Sequence, residues 1–153
     1  MDADTETAPQ LTVSNPLDEL LGYHLRRATL ALLADLSRGV ADLDVTVTEM
    51  SVLLLIAANP QITQAEIGRL LSIQRANMTP LSGRLAQRGL IQREAMNGRS
   101  NGLSLTEAGA ALVGKLRARI AENERRFLSR VSERDRVRLV GNLKALWSEI
   151  DER

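Results

Sequence analysis

Two short helical segments joined by a tight turn restrict the fold of this chain more than any other feature. Thr63 and Glu66 have the three-residue spacing of a capping box, which predicts a first helix beginning at Gln64. A second helix is predicted over about residues 75–88, and Gly89 follows it as a glycine often follows a helix. This pattern is typical of a helix-turn-helix. The side chains expected to face inward are Ile67, Leu70, Leu71, Met78, Leu81 and Leu85.

A β-hairpin is predicted directly after the second helix. Residues 90–94 and 103–105 have the pattern of two short strands, and Asn97-Gly98 between them is a strong turn dipeptide. A hairpin in this place would form a wing over about residues 90–105. Residues 46–105 together are therefore expected to form a winged helix-turn-helix, with Thr46 and Glu49 as the capping box of its first, buried helix.

Long helices are predicted on both sides of this unit. Residues 1–14 are expected to be a flexible arm, and Asn15-Pro16 is expected to begin an N-terminal helix that reaches about Val40 within a segment 15–45. Two further helices are expected within 106–153, capped by Thr106 and Ser132. The last helix carries more apolar residues than a small domain would bury, so a second copy of the chain is the expected partner.

The composition favours a mainly helical fold and excludes several kinds of site. Aromatic residues make up only 2% of the chain, so the core must be aliphatic. Because the chain has no cysteine, disulfides, thiolate nucleophiles and thiol sensing are excluded. With one histidine, neither a metal site nor a cofactor is expected, and no enzyme motif is present. The polar N-terminus and the absence of a long apolar run predict a soluble cytoplasmic protein without membrane contact.

Charge is distributed unevenly along the chain, although the net charge is only +1. Residues 61–105 contain six arginines and two glutamates, a balance of +4, whereas residues 1–60 contain three basic and nine acidic residues, a balance of −6. A central segment that is basic through arginine alone is either an unevenly charged surface or a binding site for a polyanion.

The start of the second helix carries side chains suited to reading DNA bases. Arginine can bridge guanine, and asparagine or glutamine can bridge adenine, in the major groove. The candidate DNA-binding residues are Gln64, Ser72, Gln74, Arg75, Ala76, Asn77, Thr79, Arg84 and Arg99. Gln64 and Ser72 are expected to bind the sugar–phosphate backbone of the DNA. Arg84 lies further along the helix, where either a phosphate contact or an internal salt bridge is expected, and Arg99 at the wing tip can reach a minor groove.

From about Gly22 to Leu112 the chain resembles the MarR (multiple antibiotic resistance regulator) family of winged-helix regulators. The order and spacing of several stretches carry the resemblance: Leu21–Arg27, Ile62–Ile67, Asn77–Leu81, Arg84–Ile91, Gly98–Ser100 and Leu103–Gly109. The resemblance implies a homodimer formed by the N- and C-terminal helices, bound to a pseudo-palindromic operator in double-stranded DNA. It also implies a transcriptional regulator, typically a repressor, that is often released by a small aromatic or phenolic effector.

The chain departs from the family pattern at Pro80 and Asn97, and it lacks the cysteine that the family's peroxide sensors need. Pro80 stands where many members have a polar or basic residue, and together with Gly83 it weakens the second helix, so a local kink is expected. Asn97 replaces an aspartate that usually orients the wing arginine. These departures leave open a different function, in which the winged domain binds a protein partner and binds DNA weakly or not at all.

The first predicted helix contains the candidates for effector binding. Tyr23, His24 and Arg27 lie on one helix beside apolar residues and could hold an aromatic carboxylate, with Met50 as a further candidate. The alternative is that Tyr23 and His24 are core or interface residues whose polar ends are satisfied within the protein.

Overall fold

The computed structural model describes residues 14–95 and 101–148, which form a mainly helical fold with one small antiparallel sheet. The helices are α1 Leu21–Gly39, α2 Val47–Ala58, α3 Gln64–Leu70, α4 Arg75–Gln87, α5 Glu107–Phe127 and α6 Glu133–Ser148, and the strands are β1 Ile62–Thr63, β2 Ile91–Ala95 and β3 Asn101–Leu105. The predicted class, helices with a β-hairpin wing, is confirmed. No helix within the described residues is long and apolar enough to cross a membrane.

The sheet joins the helix-turn-helix to the wing through a strand, β1, that is not predicted from the sequence. The strand order is β1-β3-β2, and β3 pairs antiparallel with both neighbours. Leu103 at the centre of β3 faces Ile62 of β1 on one side and Arg93 of β2 on the other. A two-residue strand such as β1 is too short to show alternation, so periodicity could not reveal it. The predicted Asn97-Gly98 turn lies outside the described residues.

Side-chain caps set the beginnings of the helices around the core. Complete capping boxes are present at Thr46 with Glu49, before α2, and at Thr63 with Glu66, before α3, as predicted. The Thr106 hydroxyl accepts from the amide of Gly109 and donates to the carbonyl of Gly89, which fixes the start of α5 against the end of α4. These caps satisfy amides that have no partner inside the helix.

The first helix begins five residues later than the sequence predicts, at Leu21 rather than Pro16. The side-chain oxygen of Asn15 accepts from the amide of Leu17, and the backbone amide of Asp18 donates to the Asn15 carbonyl at 3.2 Å. The amide of Leu20 likewise bonds three residues back, to Leu17. Asparagine side chains compete with helical bonding in this way, so residues 16–19 form a turn instead of the first helical turn.

The prediction that Leu70 faces inward is wrong, because its side chain is 62% exposed. Ile67 is fully buried, Gly68 is also buried, and Leu71 is half-buried. Since successive helical residues are rotated by about 100°, the buried arc runs from Ile67 through Leu71 to Gly68, and Leu70 lies beyond the opposite edge of Ile67. The face of α3 that carries Gly68 therefore packs against the next segment, and the face that carries Leu70 does not.

The hydrophobic core surrounds α2 and the inner face of α4. Val52 and Leu53 of α2 are completely buried, and they lie in one cluster with Leu85 of α4, Leu103 of β3 and Leu116 of α5. The three inward-facing residues predicted on the second helix, Met78, Leu81 and Leu85, are all buried. The helix continues through Pro80 without a break, even though proline removes one helical hydrogen bond. The proline ring lies on the exposed face, where it displaces no core side chain.

Gly109 is predicted to be essential for docking α5. A methyl group at this position would overlap the carbonyl oxygen of Leu90, whereas one at Gly114 on the same helix would meet no atom within 4 Å. We expect Gly109→Ala to lower the free energy of unfolding by about 2 kcal/mol or more, because backbone must shift to make room. Gly114→Ala is the control and should stabilise by up to about 1 kcal/mol. Urea unfolding at one fixed protein concentration measures both, and equal effects would contradict this packing.

Candidate nucleic-acid interface

The turn between α3 and α4 is held by a close backbone approach. The amide of Ile73 donates to the carbonyl of Gly68 at 2.8 Å, and a Cβ on Gly68 would lie only 2.9 Å from the Ile73 oxygen. Ser72 between them has a φ of 51°, in the left-handed region that few side chains other than asparagine or aspartate adopt readily. The two helices are thus set at a short, well-defined turn.

The first turn of α4 presents polar side chains to solvent while its inner face is buried. Gln74, at the N-cap, makes no side-chain capping bond, so its amide group is available for an external ligand. Met78 lies beneath, 1% exposed, and keeps this end of the helix in place. The candidates for base reading that share the exposed surface are Gln74, Arg75, Ala76, Asn77 and Thr79.

Recesses on both sides make the start of α4 a ridge. One groove, of about 670 Å³, separates it from α3 and the sheet, and another, of about 760 Å³, separates it from the start of α2. Ser72 and Gln74 border both grooves, Gln64 and Arg75 border the first, and Asn77 borders the second. A protruding polar helix end flanked by recesses has the shape that enters a major groove of DNA.

Two arginines of the first groove were not among the predicted site residues. Arg69 of α3 and Arg93 of β2 line it together with Arg75. Both belong to the basic central segment, but nothing in their local sequence pattern indicates that they face the same space. That placement depends on the pairing of β2 with β3 and on the angle of the helical turn, which are properties of the tertiary structure.

Arg84 forms an internal salt bridge, one of its two predicted roles. Its Nε donates to Oε1 of Glu49 at 3.3 Å, while the other carboxylate oxygen of Glu49 accepts from the amide and hydroxyl of Thr46. Burial raises the pKa of Glu49, but the bonds from Thr46 and Arg84 outweigh it and hold the pKa below its ordinary value. The Arg84 side chain remains 57% exposed, so part of its guanidinium still faces solvent.

Comparison with known proteins gives the family. The model of the MarR family matches residues 45–98, which contain α2, α3, α4 and the start of the hairpin. A solved structure of the transcriptional repressor CouR, bound to a 23-mer DNA duplex, is similar with a TM-score of 0.81 and 33% sequence identity, covering 88% of this chain and 99% of that one. This chain belongs to the MarR family.

A second relative and a second structure of CouR support the assignment. The HTH-type transcriptional repressor Rv2887 of Mycobacterium tuberculosis is 29% identical over 117 residues, which are 75% of this chain and 84% of the relative. Its solved complex with salicylic acid is similar with a TM-score of 0.68, covering 84% of this chain and 97% of that one. Another CouR structure, 33% identical over 88% of this chain and 96% of that one with a TM-score of 0.79, is bound to p-coumaroyl-CoA.

In this MarR protein the predicted effector residues are only partly brought together. Arg27 donates to the hydroxyl of Tyr23 at 3.1 Å, and the ring of His24 packs edge-on against Tyr23 and bonds the carbonyl of Asp18 at 2.7 Å. Met50, in contrast, is buried in the core. The polar groups of Tyr23, His24 and Arg27 therefore bond to one another or to the preceding turn. Among the described residues, no group of three or more histidine, aspartate or glutamate side chains could hold a metal ion.

Both terminal helices of this MarR protein carry apolar side chains that one protomer leaves exposed. None of the described residues of α6 is buried, and Trp147 is 55% exposed. The large exposed apolar residues of these regions are Leu17, Leu20, Leu21, Leu30, Leu33, Val137, Leu139, Val140, Leu146 and Trp147. Surface of this extent marks a contact with another molecule.

Glu49 is predicted to stabilise the folded protein in a pH-dependent way. Because its folded pKa lies below the ordinary value of 4.5, its contribution is complete above about pH 4.5 and is lost as the pH falls through the folded pKa. We expect Glu49→Gln to lower the free energy of unfolding by about 1–3 kcal/mol at pH 7. The difference from the unsubstituted protein should narrow toward pH 3.

Urea titrations at several pH values measure this difference, with Glu124→Gln as the control. Glu124 is an exposed carboxylate of α5 with no salt bridge in the described part of the chain. A Glu49→Gln deficit that stays constant down to pH 3 would show that the charge of the carboxylate is irrelevant and that only its shape matters.

Proposed function

We propose that this MarR protein is a homodimeric repressor that binds a pseudo-palindromic operator through the start of α4. The observation that carries the proposal is the polar ridge of Gln74, Arg75 and Asn77, exposed between two grooves and supported from below by buried Met78. The relative CouR has been solved on a DNA duplex. A repressor of this kind acts on the chromosome, so we further propose a cytoplasmic location.

The proposed contacts divide between bases and backbone. Gln74, Arg75, Ala76, Asn77 and Thr79 would face base edges in the major groove, where one well-formed bidentate pair discriminates by about 1–3 kcal/mol. Gln64, Ser72 and the exposed part of Arg84 would bind phosphates. Arg99, which lies outside the described residues together with Asn97, is proposed as the wing arginine that enters the minor groove.

We propose that dimer formation and DNA binding belong to two different lobes of the chain. Residues 15–45 and 106–153 would form the dimer, because they contain the exposed apolar faces, and residues 46–105 would bind DNA. A two-fold dimer places two α4 ridges on successive major grooves, so half-sites about 34 Å apart are expected. The competing proposal, a winged protein-interaction module, is favoured by Pro80 and Gly83 in α4 and disfavoured by the +4 balance of residues 61–105.

DNA binding is predicted to be tight and strongly salt-dependent, with two chains bound to each duplex. A fluorescent duplex from the region upstream of the protein's own gene is titrated at several salt concentrations, beside a shuffled duplex of equal composition. We expect Arg75→Ala and Asn77→Ala each to reduce the preference for the operator by about 30-fold or more, since a bidentate base contact of about 1–3 kcal/mol is lost in each of the two half-sites. Arg99→Ala should flatten the salt dependence.

Arg117→Ala is the matched control for this titration. Arg117 is an exposed arginine of α5, outside the winged unit, and its removal should change neither affinity nor operator preference. Micromolar or weaker binding that ignores Arg75→Ala and Arg99→Ala would favour the protein-interaction module instead.

We also propose that a small aromatic or phenolic effector releases the protein from DNA, bound near Tyr23, His24, Arg27 and Met50. The motivating observations are the ligands of its relatives: p-coumaroyl-CoA on CouR and salicylic acid on Rv2887. In this chain Nη1 of Arg27 donates to the Tyr23 hydroxyl, and the remaining N–H groups of this exposed guanidinium would bind an incoming carboxylate.

Release from the operator by salicylate or p-coumaroyl-CoA is the expected result, with acetyl-CoA inactive as a non-aromatic control. Arg27→Ala should weaken release by several-fold while leaving DNA affinity unchanged, because it removes the proposed partner of the carboxylate. The neighbouring exposed Arg26→Ala serves as the matched substitution. If Arg26→Ala and Arg27→Ala behave alike, or neither compound releases the DNA, this effector site is wrong.

A further inference from the structure

Several described arginines have a carboxylate partner, but three of the five in the winged unit, all around one groove, do not. Arg84 pairs with Glu49, Arg88 with Asp44, Arg119 with Asp42 and Arg126 with Asp35. In contrast, Arg69, Arg75 and Arg93 form no salt bridge with any carboxylate of residues 14–95 and 101–148. These three line the groove of about 670 Å³ between α3, α4 and the sheet.

Arg93 occupies a position where a strand normally places an apolar side chain. Alternation along β2 puts it on the same face of the sheet as Ile91, and it pairs across the sheet with Leu103, both of which are buried core residues. Arg93 is nevertheless exposed, because the groove opens above it beside Met78. A charged side chain on the helix-facing side of a sheet needs water or an anion to balance it.

The nearest acidic side chains are already engaged elsewhere. Glu94 follows Arg93 on the strand and therefore lies on the opposite face, where it accepts from Gln61 at 3.2 Å and from Gln92 at 3.1 Å. Glu66, one turn before Arg69 on α3, accepts from the amide and hydroxyl of Thr63 in the capping box at 2.8 and 2.7 Å. Glu66 keeps its charge, because the bonds from Thr63 and, to a smaller extent, the charge of Arg69 lower its pKa. Glu66 lines a different recess, however, so Arg69, Arg75 and Arg93 still give the first groove a net positive charge.

The position of the groove determines which anion it meets. On one side stands the start of α4, which the proposed function inserts into a major groove, and on the other side stands the hairpin, which it directs toward the neighbouring minor groove. In a duplex these two grooves are separated by one sugar–phosphate strand. That strand must pass over the space between helix and hairpin, which is the space bordered by Arg69 and Arg93.

We propose that Arg69 and Arg93 bind phosphates of the DNA strand that passes between the recognition helix and the wing. The inference rests on the proposed function and deepens it by adding two contacts outside the predicted site. Both contacts are independent of base sequence, so they position the protein and contribute affinity without discriminating among operators.

The test compares Arg69→Gln, Arg93→Gln and the double variant in the salt titration, on both operator and shuffled duplexes. Each phosphate contact contributes about 0.9 to the slope of log affinity against log salt. Because two protomers bind one duplex, each single substitution removes two contacts and should lower the magnitude of the slope by about 1.8, and the double by about 3.6. The loss should be equal on both duplexes, in contrast to Asn77→Ala, which should change the operator preference instead.

The controls separate this proposal from a loss of folding and from the proposed function. Arg117→Gln should leave the slope unchanged, and Arg93→Lys, which keeps the charge, should retain most of it. An unchanged slope in Arg69→Gln and Arg93→Gln, with steep salt dependence in the unsubstituted protein, overturns this inference alone. A loss confined to the operator duplex also overturns it, because it would assign base reading to these residues. Weak, salt-insensitive binding by the unsubstituted protein overturns the proposed function and the inference together.

Discussion

Burial of the inner face of α4 is the interaction on which the interface depends. The helix contains a proline and a glycine, which cost about 3 and 1 kcal/mol relative to alanine within a helix. Its own propensity therefore cannot maintain it. Met78, Leu81 and Leu85 are at most 6% exposed and pack into the core around α2, and the Glu49–Arg84 salt bridge holds the same helix from the side. Because the tertiary structure supplies the stability, the outer face is free to carry polar residues.

The parts of the fold that could be predicted from sequence are those determined by local rules. Capping boxes at Thr46 and Thr63, the glycine after α4 and the apolar spacing within α4 all depend on residues a few positions apart, and the structure agrees with each of them. The start of α1 was mispredicted because Asn15 can begin either a helix or a turn, and the choice depends on bonds made by later residues such as His24. Leu70 was mispredicted because a short helix buries only a narrow arc, and Gly68 decides where that arc lies.

In the candidate site, too, some residues are indicated by local sequence and others only by contacts between distant parts of the chain. The polar residues at the start of α4 follow one another in sequence, so the motif alone indicated them. Arg69 and Arg93 are 24 positions apart in sequence and border the same groove only because β2 pairs with β3 beneath the two helices. For Arg84, sequence allowed both a phosphate contact and an internal salt bridge. Glu49, 35 residues away, is the partner that the structure reveals.

The small net charge of this protein conceals a separation of roles among its arginines. Asp42 and Asp44, in the connection between α1 and α2, bind Arg119 of α5 and Arg88 directly after α4. Asp35 binds Arg126 and the buried amide of Asn123. The acidic excess of the first 60 residues is thus used in part to join helices within the proposed dimer lobe, through Asp35 and Asp42, and to join that lobe to the DNA-binding lobe, through Asp44. Pairing removes those arginines from the field that a polyanion would meet, so the arginines left without a carboxylate around the groove carry a larger share of it than the total of +1 suggests.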